Sequence, residues 1–189
     1  MIKSEKEITS MNNNGKRSSI KTIMIDIFCM IILIAIDQFT KYLAVIFLKD
    51  KPAFPLMNGV LELNYLENRG AAFGMMQNQK WFFVFIAAII IGVIIFVLYK
   101  TPQEKKYNAF HAQLVCIAAG AVGNMIDRIR LDYVVDFIYF SCINFPIFNF
   151  ADMCVTIGTI VLVILILFVY KENDLSFLGF HQKKYREIK

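Results

Sequence analysis

The sequence predicts an all-α membrane protein with four transmembrane helices and a small extended or β segment on the outer membrane surface. Hydrophobic residues make up 58% of the 189 positions and charged residues only 19%, a balance that a water-soluble domain of this size would struggle to keep in solution. Four stretches are also long and apolar enough to cross roughly 30 Å of hydrocarbon. They lie at about 23–47, 81–99, 110–126 and 153–170.

The first predicted helix follows a polar segment, residues 1–21, that we interpret as a cytoplasmic N-terminal tail. A basic segment before an apolar run is also typical of a secretory signal. This run is too long, contains Asp26 and Asp37, and ends without a small-x-small cleavage site, so we expect a retained helix. Residues 22–171 then form one four-helix transmembrane domain, and residues 172–189 form a basic cytoplasmic tail.

Between the first two helices, the run VLELNYLENRGAAF at 60–73 alternates partly between apolar and polar residues and contains good strand formers. Pro52 and Pro55 indicate that the first helix has ended before it. Backbone near the membrane must be paired within the protein or line a wet cavity. We therefore predict a short extended segment beside a binding groove.

The third predicted helix carries the small residues of IAAGAVGN, from Ile117 to Asn124. Small side chains let helices approach closely in lipid, so this stretch predicts tight packing. Asn124 and Asp127 follow three residues apart and are expected on one face of the helix.

Two short polar motifs, VVDF and FNFAD, follow the third helix and carry Asp136 and Asp152. An ionisable group at membrane depth is costly, and such groups are usually functional. Two carboxylates on either side of one short loop, next to membrane-length apolar segments, are therefore predicted to form an active site.

The basic residues indicate the orientation of the chain. Of the 20 Lys and Arg residues, five precede the first helix, three lie between the second and third, and five follow the fourth. The positive-inside rule then puts both termini in the cytoplasm and VVDF and FNFAD near the outer face. The net charge of +5 fits contact with anionic lipid headgroups, so nucleic-acid binding is not expected.

The cysteines and histidines do not form a recognisable metal site. Cys29, Cys116, Cys142 and Cys154 lack metal-ligand spacing and are interpreted as buried small side chains, with a disulfide between Cys142 and Cys154 left open. The two histidines, at positions 111 and 181, are expected to share no constellation with a cysteine or carboxylate. A zinc site or a cysteine protease is not supported.

Taken together, the polar motifs resemble those of lipoprotein signal peptidase, the type II signal peptidase of bacteria. They occur in the family's order over residues 23–170. The matching motifs are DQFTK at Asp37–Lys41, NRGAAF at Asn68–Phe73, GNMIDR at Gly123–Arg128, VVDF at Val134–Phe137 and FNFAD at Phe148–Asp152.

The resemblance implies a membrane aspartyl endopeptidase that cuts prolipoproteins on the amino side of a diacylglyceryl-modified cysteine. Asp136 and Asp152 are then the catalytic dyad. Two neighbouring carboxylates do not both ionise easily, so they share a proton, and one activates water while the other polarises the scissile amide. No metal or cofactor is expected.

The resemblance also implies supporting roles for other polar residues. Asn124, Asp127, Arg128 and Asn149 would orient the dyad and hold the substrate backbone, although an arginine at a helix end can instead extend its guanidinium to the interface. Asn68 and Gly70 would contact substrate, with a turn as the alternative for Gly70. Asp37 and Lys41, spaced i, i+4, are expected to be a structural helix pair.

The expected partners are diacylglyceryl-prolipoproteins and membrane lipid, and the expected state is a monomer in the bacterial cell membrane, the inner or cytoplasmic membrane. None of the four cysteines follows a lipobox, so the chain is not its own substrate. A small proton-coupled transporter is the alternative function, but the two halves of the chain show no repeat. A non-enzymatic scaffold is a further alternative, and it would tolerate loss of either carboxylate.

Overall fold

The computed structural model describes residues 5–70 and 76–178 of the chain. It contains four α-helices, three β-strands and several short helical turns. The helices are α1 (Glu5–Leu48), α2 (Lys80–Lys100), α3 (Asn108–Leu131) and α4 (Phe150–Ile164), and α4 continues as a π-helical turn over Leu165–Val169. The 3₁₀ turns are Lys105–Tyr107, Ser141–Ile143 and Glu172–Leu178. The strands are β1 (Phe54–Met57), β2 (Leu61–Asn68) and β3 (Val134–Tyr139).

Within the described ranges, three helices have the length and composition needed to cross a membrane: Lys80–Lys100, Lys105–Leu131 and Phe150–Val169. The span predicted at 23–47 lies inside α1, and the count of four membrane spans stays a prediction. In α2 the only fully buried side chain is that of Ile94. Most of the other side chains of this apolar helix are exposed, and lipid rather than water suits such a surface.

The three strands form one antiparallel sheet in the order β1-β2-β3. The extended segment predicted at 60–73 is therefore confirmed over Leu61–Asn68, while residues 71–73 lie outside the described part of the chain. Sequence reasoning placed no strand at 134–139, yet β3 pairs with β2 along Glu62–Asn68. The sheet lies where α1 and α3 end and where α2 and α4 begin.

Helix α3 is the centre of the bundle and packs against the other three helices. Near its start, Phe110, Leu114 and Ile117 form an apolar core with Ile94 of α2 and Tyr170 after α4. A second core joins the end of α1 to the sheet through Ala44, Leu48, Val135 and Phe137. The sheet is thereby fixed to the helices that carry the polar motifs.

The tight packing predicted for the small residues of α3 is confirmed. A Cβ atom at Gly120 would clash with the backbone carbonyl oxygen of Ala151 in α4. A Cβ atom at Gly123 would clash with the carboxylate of Asp37 in α1. Glycine at these two positions lets three helices meet at the level of the polar motifs.

Two further expectations can be compared with the structure. Helix α1 begins at Glu5, so the segment interpreted as a polar tail is helical backbone from that residue onward, and the domain boundaries stay predictions. The expectation that the histidines have no carboxylate partner is wrong for His111, whose Nδ1 lies 2.9 Å from Oδ2 of Asp26, while position 181 lies outside the described residues. All four cysteines are free thiols, and the expectation that they are buried is wrong for Cys29 and Cys142, which are exposed.

Candidate active site

Strand β3 places Asp136 against β2. In the antiparallel register Asn68 lies opposite Val134, so Asp136, two residues further along, is its diagonal neighbour on the same face of the sheet. Asn68 Nδ2 donates a hydrogen bond of 2.8 Å to Asp136 Oδ2. Asp136 is only 1% exposed, and pairing with a strand from a distant part of the chain fixes its position.

The start of α4 places Asp152. Phe148 is bridged to Ile138 of β3 by backbone hydrogen bonds in both directions, which brings the following residues of FNFAD beside Asp136. Asn149 is the N-cap of α4 and forms a capping box with Asp152: its side chain accepts from the Asp152 backbone N–H, and Asp152 Oδ2 accepts from the Asn149 N–H. Asp152 is thus held by the first turn of its own helix.

Two asparagines connect the carboxylates. Asn149 Nδ2 donates to Asp136 Oδ1 at 2.6 Å and to Asn124 Oδ1 at 3.1 Å. Asn124 Nδ2 in turn donates to Asp152 Oδ1 at 2.7 Å. The structure therefore brings together both predicted catalytic residues and both predicted orienting asparagines. The spacing of these four residues in the sequence did not predict which of them are hydrogen-bonded to one another.

A buried charged cluster lies next to the asparagines. Lys41 Nζ is 3.0 Å from Asp37 Oδ2 and 3.0 Å from Asp127 Oδ2, and it donates to Asn124 Oδ1 at 2.9 Å. All three charged side chains are at most 4% exposed. Asp37 and Lys41 thus form an i, i+4 ion pair, and their structural role stays a prediction. Lys41 also donates to the side-chain oxygen of Asn124, whose amide nitrogen donates to Asp152.

The two acids of this cluster connect separate elements. Asp37 Oδ1 accepts the backbone N–H of Ala151 in the first turn of α4, and Asp127 Oδ2 accepts the backbone N–H of Val135 in β3. Gln38 was not singled out by sequence reasoning, yet its Nε2 bridges Asp37 and Asp127 at 3.1 and 3.0 Å. Its position inside the DQFTK motif was the available signal.

Gly70 and Arg128 lie at the edge of the site. The Gly70 N–H donates to Asn68 Oδ1, a local turn that orients the asparagine. Arg128 donates at 3.4 Å to the carbonyl oxygens of Gly70 and of Asn124, and its guanidinium stacks 4.8 Å from the ring of Phe83. The guanidinium therefore points into the protein rather than extending to the membrane interface.

A cavity of about 740 Å³ opens onto these groups. Its polar wall includes Asn68, Gly70, Arg128, Asp136 and Asp152. Its other wall is largely apolar and is formed by the loop before α4 and one face of that helix, with the residues Phe145, Pro146, Ile147, Phe148, Met153, Thr156 and Ile157. The cavity thus combines a carboxylate pair with a surface suited to an apolar ligand.

The surroundings of Asp136 act on its ionisation in both directions. Burial raises the pKa of Asp136 to about 7, and the negative charge of Asp152 adds to this rise. The hydrogen bonds from Asn68 and Asn149 oppose it because they favour the charged form. A carboxylic acid that changes protonation near neutral pH beside a second carboxylate is suited to proton transfer.

Comparisons with known proteins agree with this geometry. The family model described as Signal peptidase (SPase) II matches residues 29–168, a range that contains every site residue above. A curated relative, the lipoprotein signal peptidase of Caldanaerobacter subterraneus subsp. tengcongensis, is 44% identical over 72% of this chain and 91% of its own. The lipoprotein signal peptidase of Streptococcus pyogenes serotype M5 is 39% identical over 78% of this chain and 94% of its own.

A solved structure described as a bacterial membrane enzyme, determined by the in meso method at 2.3 Å resolution, superposes with a TM-score of 0.68. It is 32% identical to this chain and covers 88% of it and 96% of its own length. These matches support a bacterial membrane hydrolase that removes signal peptides from prolipoproteins. They confirm the resemblance found in the sequence motifs, and the chain belongs to the signal peptidase II family.

Proposed function

We propose that the chain is a membrane aspartyl endopeptidase that cuts diacylglyceryl-modified prolipoproteins on the amino side of the lipidated cysteine. One observation carries this proposal: Asp136 and Asp152 come from different elements, line the same cavity and are joined through Asn149 and Asn124. The proton-coupled transporter is not favoured, because the family consists of peptidases.

In the proposed mechanism the two carboxylates share one proton. The carboxylate form removes a proton from water, and the protonated form polarises the scissile carbonyl and then protonates the leaving amide nitrogen. The proton belongs to the pair, so neither residue is named as the acid or the base. The amide donors of Asn68, Asn124 and Asn149 hold the carboxylate oxygens in place before substrate arrives, which lowers the cost of reorganisation during the reaction.

Two residues at the rim are suited to hold the substrate backbone. Arg128 has five N–H donors, and its contacts with the carbonyls of Gly70 and Asn124 are long, at 3.4 Å each, so its guanidinium can also donate to a substrate carbonyl. Gly70 lines the cavity with no side chain to obstruct an extended peptide. A structural role is assigned to Asp37, Lys41 and Asp127, because their buried charges are paired with one another next to the dyad.

The apolar wall of the cavity supports a lipidated substrate. Met153 and Ile157 on α4 are 36% and 52% exposed and continue the cavity onto the outer surface of the helix. Acyl chains bound there stay in hydrocarbon while the peptide bond meets the carboxylates. We place the protein in the bacterial inner or cytoplasmic membrane as a multi-pass monomer with both termini in the cytoplasm, because 13 of the 20 basic residues lie in the sequence before the first predicted span, between the second and third, or after the fourth.

Cleavage of a purified diacylglyceryl-prolipoprotein in lipid or detergent tests the proposal. Asp136→Asn and Asp152→Asn keep the size of each side chain and remove its ionisable group, so each is expected to reduce turnover by roughly 10³-fold or more. Asp132→Asn is the matched control, because Asp132 is an exposed partner of Lys80 outside the cavity. Each assay is run with and without a chelator, because the proposed mechanism needs no metal.

The expected result is product from wild type and Asp132→Asn only. Undiminished turnover by both dyad variants would refute the aspartyl mechanism, and loss of turnover caused by the chelator alone would refute its independence of metal. A folded wild type that cuts between other residues would refute the proposed cleavage position.

A further inference from the structure

A second cavity, of about 660 Å³, lies between α1 and α3 beside the connection from α2. The α3 residues that line it belong to the start of that helix, whereas the active-site cavity lies at the end of α3. From His111, which lines the second cavity, to Asn124 the helix rises about 20 Å. The volume is in the range of pockets that bind small ligands. The same central helix therefore borders two separate cavities.

The polar end of this cavity contains the pair of Asp26 and His111. His111 Nδ1 lies 2.9 Å from Asp26 Oδ2, and the histidine side chain is only 4% exposed. An ionised carboxylate accepts hydrogen bonds and cannot donate them, so Nδ1 carries the hydrogen. In the neutral ring Nε2 is then an acceptor. This atom is buried and, within the described residues, has no hydrogen-bond partner.

Gln103 provides a second buried atom without a partner. Its side-chain oxygen is an acceptor, has no hydrogen-bond partner among the described residues, and belongs to a residue that lines the same cavity. Buried polar atoms in folded proteins are almost always paired. The carboxylate of Asp26 adds a negative charge to these two acceptors. This end of the cavity therefore fits a cationic group that carries several N–H donors.

The remaining lining residues fit the rest of an amphiphile. Lys105, an exposed residue at the cavity, offers a positive charge to an anion. Ile25 and Ile32 on α1 are 51% and 41% exposed and continue the cavity along the apolar surface of that helix. Leu33 and Val115 complete this apolar part. Acceptors, a cation and an apolar surface occur together in one cavity that opens on the apolar surface of α1.

We propose that this cavity binds a phospholipid with a primary ammonium headgroup, as in phosphatidylethanolamine. The ammonium donates to His111 Nε2 and Gln103 Oε1, and the Asp26 carboxylate on the Nδ1 side of the imidazole supplies the negative charge. The phosphate lies near Lys105, and an acyl chain follows α1. A trimethylammonium headgroup carries the same charge but has no N–H donor, so it would leave both unpaired atoms unpaired. The proposal does not depend on the proposed peptidase activity.

Lipid retention by the purified full-length chain tests this inference. The protein in detergent is given an equal mixture of phosphatidylethanolamine and phosphatidylcholine with identical acyl chains, and the bound lipid is read by native mass spectrometry. Wild type is expected to retain the ethanolamine lipid roughly tenfold over the choline lipid, because it gains charge-assisted hydrogen bonds. Asp26→Asn and Gln103→Leu should each reduce this preference.

The matched control is Asp174→Asn, which removes a carboxylate paired with Lys106 near the same end of the bundle but outside the cavity lining. It should keep the wild-type preference. Equal retention of both lipids by wild type, retention of neither, or an unchanged preference in both cavity variants would overturn the proposal. In a further experiment soluble phosphoethanolamine is added alone. Retention of phosphoethanolamine equal to that of the ethanolamine lipid would overturn the lipid assignment.

Discussion

The two ends of α3 border polar clusters that differ in how completely their atoms are paired. Around Asp136 and Asp152 each carboxylate oxygen accepts a hydrogen bond. Around His111, two buried atoms have none. In the described part of the chain only three buried side-chain polar atoms lack a hydrogen-bond partner, and two of them belong to residues that line the cavity at the start of α3.

This difference distinguishes two kinds of site. A site that cleaves bonds must hold its reacting groups in position before the substrate binds, so its hydrogen bonds are made within the protein. A site that only binds a ligand can leave its acceptors open, because the ligand supplies the donors. Substitutions in each cluster can therefore show whether the paired cluster is as rigid, and the unpaired cluster as incomplete, as these contacts indicate.

The largest effect on stability is expected at Lys41. Lys41→Met keeps the length of the side chain but leaves Asp37 and Asp127 buried without their cation, so the free energy of unfolding should fall by roughly 3–5 kcal/mol. Lys80→Met is the matched control, because its partner Asp132 has a side chain that is 66% exposed and the change there should be small. Unfolding in detergent micelles measures both. Equal losses would show that the Lys41 cluster does not support the fold.

A smaller effect, on activity, is expected at Asn149. Asn149→Ser keeps an oxygen that can cap α4 but removes the amide donor to Asp136, so turnover should fall roughly tenfold to a hundredfold with little loss of stability. Asn149→Ala loses the cap as well and should also be less stable. An equal loss of stability in both variants would mean that the cap oxygen is not what holds this turn.

The pH dependence gives a second measure of the same contact. In wild type, turnover should fall as pH rises through about 7, the pKa to which burial raises Asp136, because the dyad then loses its shared proton. The Asn149 hydrogen bond favours the charged form and so lowers the pKa of Asp136, against the larger effect of burial. Its removal in Asn149→Ser should move this alkaline limb to higher pH. A limb that stays in place would show that Asp136 is not the group that titrates.

Sequence reasoning could predict the parts of this molecule that local patterns encode. Continuous apolar runs predicted α2, α3 and α4, because a helix that faces lipid needs apolar side chains on most of its surface. The motifs located Asp136, Asp152, Asn124 and Asn149, which the structure brings into one cluster.

Contacts between distant residues were the parts that could not be predicted. Strand β3 is six residues long, and a short apolar run of this kind does not distinguish a strand from a loop between spans. Asp136 in this strand is 68 residues from its hydrogen-bond partner Asn68, and His111 is 85 residues from its partner Asp26. A single sequence contains no signal for such pairs, because either residue alone also fits an interfacial position.

The smallest effects come from making the same substitution at both ends of α3. Gln38 donates to Asp37, Asp127 and the carbonyl of Gly123, so Gln38→Leu leaves partly buried acceptors without a donor and should lower stability by about 1–3 kcal/mol. Gln103→Leu instead removes an acceptor for which the described residues provide no hydrogen-bond partner. In lipid-free detergent it should be neutral or should raise the melting temperature slightly, because an unpaired buried oxygen costs free energy. A loss of stability at Gln103 equal to that at Gln38 would show that both clusters are equally complete without a ligand, and the contrast between the two ends of α3 would not hold.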